Sequence, residues 1–238
     1  MDVMQRRLFR AAAVSCGLAL TLPAAASAEV IEIGKLDPQV KSSCPGPVPK
    51  CFAVARLTGY QAKVGTDRGV MTATKDGRIV AFSVGLGKPG PKQALFFSGG
   101  KGAPANSPQY GEPEVQVTVL NPRSKLRSRA VAQSEAFKVT DYFGSTVQFA
   151  LAKSIPVKKG QIIAITSKTW APILAVGLGS DTSWRASREK GTCQDSVQQV
   201  AQLQPDQLAQ YYCLYRTARL NYSATMVTDP VKPGAKKK

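Results

Sequence analysis

No histidine occurs anywhere in this chain, and that absence decides most of the chemistry open to it. Ser-His-Asp and Cys-His hydrolases, histidine proton shuttles and the usual zinc hydrolases all need an imidazole that titrates near neutral pH. Carboxylate chemistry survives. A glycosidase needs two Asp/Glu groups about 5–5.5 Å apart for retention, or about 6.5–9.5 Å apart for inversion. The candidates are Glu112, Glu114, Glu135, Asp141 and Asp181. Only Glu112-Pro113-Glu114 puts two acids on alternate residues, and its central proline suits a strand end. Rim carboxylates balancing lysines are the simpler reading. A polysaccharide lyase can use Tyr or Arg instead, which brings in Tyr211-Tyr212-Cys213-Leu214-Tyr215-Arg216. Tyrosines beside a cystine commonly pack on it with their hydroxyls at the surface. No catalytic residue is assigned.

Binding asks less of the residues. Aromatic rings held in turns can lie on the apolar faces of sugars, with polar neighbours bonding the hydroxyls, and the chain offers Trp170, Trp184, Tyr110 and Tyr142. Trp170-Ala171-Pro172 stands just before a strongly apolar run, so its indole is expected inside. Trp184 follows the polar Gly179-Ser180-Asp181-Thr182-Ser183 and precedes Arg185 and Arg188, a setting that would present a ring to solvent. The expected ligand-binding set is therefore Trp184, Arg185, Asp181, Tyr110 and Tyr142. Asp181 lacks the DxDxDG spacing of a calcium loop, and neither metal nor cofactor is expected.

Charge points to the partner. Lys and Arg total 32 against 15 Asp and Glu, a net charge of +17. Arg6, Arg7 and Arg10, an apolar run from Ala11 to about Ala25, and Ala26-Ser27-Ala28 form the three parts of a secretory signal peptide. The run is shorter than the roughly 20 residues of a membrane span. Arg6-Arg7-Leu8-Phe9 is similar to a twin-arginine core, with Gln5 where Ser or Thr is usual, so the export route stays open. Cys16 lies inside the apolar run, which disfavours lipid attachment. Cleavage after Ala28 removes three arginines and one aspartate and leaves a charge of +15. Such a chain is drawn to polyanions. For a secreted or cell-envelope protein these are wall polymers, acidic glycans or anionic headgroups rather than nucleic acid. No transmembrane segment is expected after cleavage.

Cys44, Cys51, Cys193 and Cys213 remain in the exported part, an even number that implies disulfides with three possible pairings. Chain order favours Cys44 with Cys51, around Pro45-Gly46-Pro47-Val48-Pro49, and Cys193 with Cys213. Zinc ligation is disfavoured by spacings unlike a zinc ribbon.

The elements that must position these groups read as strands. From Phe52 to about Leu178, short β-branched and aromatic runs alternate with turn signals every 8–12 residues or so, the pattern of an all-β sandwich or barrel. Glu114 to Val119, Arg78 to Gly85 (with Val80, Phe82 and Val84) and Thr146 to Leu151 alternate with period two and should each keep one wet face. Gln161 to Thr166 and Ile173 to Val176 are apolar on both sides and should be central. Lys75-Asp76-Gly77-Arg78 predicts a hairpin turn, and Val157 to Gln161 a second turn at Gly160. Residues 86–113 read as a long Gly/Pro/Ser-rich loop. Residues 194–212 read as a small helical insertion tied by the second disulfide, with Val197, Val200 and Leu203 at helical spacing and Pro205-Asp206 opening a turn that carries Leu208 and Tyr212.

Residues from about Phe137 to Cys193 carry Pro156-Val157-Lys158-Lys159-Gly160, Thr169-Trp170-Ala171-Pro172, Gly177-Leu178-Gly179-Ser180-Asp181 and Trp184-Arg185. This stretch, about a quarter of the chain, resembles secreted β-sandwich proteins of unknown function from high-GC Gram-positive bacteria. Its V-x-x-G-x-x-I-A piece is distantly like the late strand pair of jelly-roll carbohydrate-binding modules. The resemblance implies a fold and brings no site residues.

The expected protein is therefore an antiparallel β-sandwich of jelly-roll type. Residues 1–28 are a signal peptide, 29–51 an extended leader with a Pro-rich Cys loop, 52–229 the sandwich, and 230–238 a disordered basic tail. The expected role is non-enzymatic binding of carbohydrate or anionic wall polymer. A polysaccharide-cleaving enzyme and a structural envelope component stay open as alternatives.

Overall fold

The computed structural model describes residues 27–34, 36–37, 39–44, 52–194 and 204–230. Most of the signal peptide (1–26), the Pro-rich loop 45–51, residues 195–203 of the expected helical insertion and the tail 231–238 lie outside them. In chain order the strands begin with β1 (Val30–Ile33), β2 (Val54–Val64), β3 (Asp67–Arg68) and β4 (Gly77–Gly85). Helix α1 (Pro91–Ser98) precedes β5 (Glu114–Pro122), β6 (Arg127–Gln133), β7 (Phe137–Lys138), β8 (Thr146–Val157) and β9 (Ile162–Ala171). The last are β10 (Leu174–Val176), β11 (Ser183–Ala186), β12 (Leu208–Gln210), β13 (Cys213–Arg216), β14 (Ala218–Leu220) and β15 (Tyr222–Thr228). Every strand pairing is antiparallel.

The strands form a smaller sheet, β1-β15-β4-β8, a β10-β14 ladder, and a larger sheet whose path is β12-β6-β5-β9-β2-β11-β13. Alternation explains how the two main sheets share a core. Ile79, Phe82 and Val84 of β4 and Ala224 and Met226 of β15 join Val115, Val117 and Val119 of β5 and Ile163 and Ile165 of β9 in one buried cluster. Tyr222 Oη crosses between the sheets and donates to Ile163 O at 2.8 Å. The expected Val80-Phe82-Val84 face is broken by a bulge between Ile79 and Ala81, which turns Val80 out of register and puts Ile79 inside.

Only Tyr211 and Tyr212 separate β12 from β13, although these strands are the opposite edges of the larger sheet. Laid flat, six spacings of about 4.8 Å would set the edges about 29 Å apart. The three residue steps from Gln210 to Cys213 reach about 10 Å at most. The sheet therefore rolls until its edges approach, like a barrel left open along one seam. Two hydrogen bonds from the linking tyrosines bridge the seam: Tyr211 N to Leu126 O at 2.8 Å and Tyr212 N to Arg188 O at 3.1 Å.

Rolling overturns the expectation of a wet face on β5. Gln116 and Thr118 are buried inside the roll, where the hydroxyls of Thr58 and Thr118 each bond Thr166 Oγ1 at 2.7 Å. Gln133 Nε2 donates to Thr118 Oγ1 at 3.0 Å, so these three buried hydroxyls are satisfied by one another and by Gln133. Leu120, Ala130, Ala164 and Tyr211 form the apolar part of the same interior.

Three further expectations are corrected. Leu208 is not in a helical turn, because Leu208–Gln210 pairs with β6 at the sheet edge, and the unpaired β6 edge offers more backbone hydrogen bonds than one isolated turn. Asp76-Gly77 is not a hairpin turn. Gly77 opens β4 between β8 and β15, with Val227 O only 2.3 Å from where a Cβ would stand, and Asp76 instead accepts from Lys159 N at 2.8 Å. The long loop contains α1, short but started by Pro91 at N1 with Gln93 Oε1 accepting from Gly90 N at 2.7 Å. Its Phe97 stacks on Trp170 at 5.1 Å, and Trp170 is fully buried as expected. Among the described residues no helix is long and apolar enough to cross a membrane.

The pairing Cys193–Cys213 is present, with Cα atoms 5.3 Å apart. Cys44 is also oxidised.

Candidate functional site

Strand alternation aims neighbours at different compartments. On β2, Leu57 joins the shared core while Thr58 and Tyr60 face the inside of the roll. Trp184 and Ala186 of β11 likewise belong to the core, so Arg185 between them looks into the roll. The roll opens at this end into a cavity of ≈ 280 Å³. Tyr60, Gln61, Lys63, Arg68, Ser183 and Arg185 supply its polar wall, with Ile162 and Leu214 among the apolar lining. Three cations line this mouth and no carboxylate does.

Arg185 is fixed before any ligand arrives. Its Nη1 donates to Tyr211 O and Tyr212 O, both at 3.0 Å. The remaining guanidinium nitrogens make no hydrogen bond among the described residues. A planar guanidinium held on one side presents its other edge as a fork that fits a carboxylate or phosphate. Tyr60 packs on Tyr211 with ring centroids 5.3 Å apart. Burial raises the Tyr60 phenol above its ordinary value, partly offset by the Arg185 charge, so its hydroxyl stays protonated and can donate.

A second cavity of ≈ 440 Å³ lies beyond the β2–β3 turn and shares Arg68, Gly69 and Thr72 with the first. Its carboxylates are Glu32 and Asp67, and Glu32 is already bonded by Ser223 Oγ and by Thr225 Oγ1 at 2.9 Å. It holds no cation except Arg68.

The five residues expected to bind do not converge. Trp184 is buried, not presented: its indole stacks on Tyr215 at 4.6 Å, over a strand whose Gly59 leaves room for it. Tyr110 is half-buried against the Phe96, Phe97 and Trp170 cluster. Tyr142 is exposed and meets Phe149 edge-on at 5.4 Å. Asp181 is exposed outside the mouth, beside the β2–β3 turn at Gly65. Arg185 alone of the set lines the mouth. Sequence reasoning missed Tyr60, Lys63 and Arg68, which form no motif and meet Arg185 because β2 pairs with β3 on one hand and with β11 on the other.

The carboxylates considered for catalysis are dispersed. None lines the mouth; Glu112 pairs with Lys138 at 2.7 Å, and Glu135 accepts from Ala152 N at 2.8 Å. Among the described residues no group of three or more His, Cys, Asp or Glu could hold a metal ion. The rolled antiparallel sheet and its cationic mouth define an all-β protein with a site suited to an anionic group. No protein-family model matches the chain, and neither a curated protein nor a solved structure shows significant similarity to it.

Proposed function

We propose that this is an exported, non-enzymatic binding protein of the cell envelope or its surroundings, and that its ligand is an acidic carbohydrate or anionic wall polymer. The observation that carries this reading is Arg185, pinned through Nη1 and open on its other edge, in a mouth that also holds Lys63 and Arg68 and no acid. Mouths of β-barrels are common ligand sites. A carboxylate or phosphate on a sugar would take the guanidinium fork, while Tyr60 would offer a ring and a hydroxyl. In this reading the two sheets are a β-sandwich of the jelly-roll kind, altered by the rolling of the larger one.

The high positive charge supports the sign of the partner. Ion pairs among the described residues join Lys75 to Glu29, Lys138 to Glu112 and Lys158 to Asp76, all at the surface and away from the mouth. Titrating the purified protein with polygalacturonate, with teichoic acid and with neutral glucan tests the proposal. Binding to an acidic polymer that weakens steeply with salt is expected, and Arg185→Ala should weaken it. Binding that ignores salt, or none, rejects the reading. Release of reducing ends or unsaturated products would make the protein an enzyme instead.

A further inference from the structure

The turn joining β5 to β6 is basic and has an apolar apex. Arg123, Lys125, Arg127 and Arg129 fall within seven residues, and no carboxylate occurs between Glu114 and Glu135. Arg123, Lys125, Leu126 and Arg127 are all exposed, Leu126 by 43%. Lys125 and Leu126 both have φ of 57°. Two successive left-handed residues are what a type I′ hairpin turn needs, and Asn-Gly is the usual choice because side chains with a full Cβ resist that conformation. Here the backbone is held in place from the seam side: Tyr211 N donates to Leu126 O at 2.8 Å, and Gln210 Nε2 to Lys125 O at 3.2 Å. With their carbonyls tied inward, Lys125 and Leu126 are left at the apex of the turn.

A second exposed leucine adjoins the turn. Leu208, 47% exposed, stands directly opposite Arg129 in the β6–β12 ladder and so shares its face. We infer that this tip docks on an anionic lipid surface, with Leu126 and Leu208 entering the headgroup boundary and Arg123, Lys125 and Arg127 meeting the phosphates. The cations name the sign of the partner. The leucines name its nature, because a hydrated polyanion leaves them in water whereas the acyl boundary removes them from it. Basic residues beside an anionic leaflet add attraction that falls off within a Debye length. The tip also sits at the mouth end of the roll: Ile162 of the mouth pairs with Leu120, and β5 ends at Pro122 just before the turn. Docking would hold the mouth against the same surface, whatever ligand the mouth takes.

Leu126→Trp tests this with a probe at the apex, against Trp170 and Trp184, which are both buried. Its emission should move to shorter wavelength on vesicles of phosphatidylglycerol in phosphatidylcholine and be quenched there by brominated acyl chains. Pure phosphatidylcholine and dextran sulfate should do neither. On the same anionic vesicles Leu126→Ser should lower the partition coefficient about tenfold. An emission that stays unshifted on anionic vesicles, a Leu126→Ser variant that sediments like the parent, or a response to dextran sulfate equal to that of vesicles would each overturn the inference.

Discussion

Gly59 and Trp184 lie so close across neighbouring strands that a Cβ at position 59 would stand 3.1 Å from the indole Cε3. The same Cβ would be 3.0 Å from Leu220 Cδ1 and 3.1 Å from Arg185 O. The missing side chain is what admits the indole to the core, and an indole inside on β11 is what turns Arg185 towards the roll.

Gly59→Val should therefore destabilise the fold by about 1–3 kcal/mol, the usual cost of overpacking. It should also disturb the mouth, because Arg185 is one of its contacts. Urea unfolding followed by tryptophan emission measures the first effect, and anionic-polymer binding at low denaturant the second. A Gly59→Val protein with parental stability would mean that the indole does not need that space.

Arg185 carries two effects that a variant series separates. Arg185→Ala removes two charged hydrogen bonds across the seam and should cost about 1–3 kcal/mol, along with the binding fork. Arg185→Lys keeps the charge but not the bidentate edge, so binding should fall while the salt dependence persists. Parallel binding isotherms and thermal melts of the two variants check this.

Cys193 and Cys213 are 20 residues apart in sequence. Loop-closure entropy for a span of that size is worth about 3 kcal/mol. The cystine joins β13, at the seam edge, to the segment that follows β11. Replacing both with serine should lower the midpoint of denaturation, and a reductant should lower the parent's midpoint by more than that of the double variant, which keeps only the disulfide of Cys44.

Burial raises the Tyr60 phenol and pushes those of Tyr211 and Tyr222 well above their ordinary value of 10.0. The folded state thus holds these protons more tightly than the unfolded chain does. Their contribution is complete below about pH 10 and is lost as pH rises towards the folded values. A steep alkaline loss of stability is expected in denaturant titrations. Tyr222→Phe should be less stable at neutral pH by about 1–3 kcal/mol, since it leaves Ile163 O without the phenol, and should lose less on going to high pH.

At the acid end Asp76 acts with the opposite sign. The Lys159 backbone N–H, then the Lys158 side chain, hold its carboxyl below the ordinary value of 3.8. Its support for the β8–β9 turn is present above that value and disappears as pH falls through the lowered one. Asp76→Asn should flatten this limb of the stability profile, as acid titration followed by circular dichroism would show.

The first halves of Thr146–Val157 and Ile162–Ala171 were legible, as Thr146 to Leu151 and Gln161 to Thr166, because apolar patterning is local. Trp170 was legible for the same reason, standing beside Ile173 and Leu174 in an apolar run. The Cys193–Cys213 pairing followed from chain order. Trp184 misled because a polar loop precedes it, while the features that bury it, Gly59 and Tyr215, lie on other strands. Leu208–Gln210 misled because a three-residue strand has no periodicity to read and exists only where β6 offers an edge. Helix α1 was hidden by flanking Gly and Pro, although Pro91 and Gln93 mark its start.

The sequence by itself determined the charge, the lack of histidine chemistry, the antiparallel all-β class and one disulfide, since each depends on composition or on neighbours a few residues apart. Tertiary structure alone decided that the larger sheet rolls, that its polar interior is buried, and that Tyr60, Lys63, Arg68 and Arg185 line one mouth. The reason is geometric: two tyrosines join β12 and β13, whose partners β6 and β11 are far apart in the chain, so the sheet must roll, and the mouth residues meet through the pairing of β2 with β3 and β11; no local pattern records either.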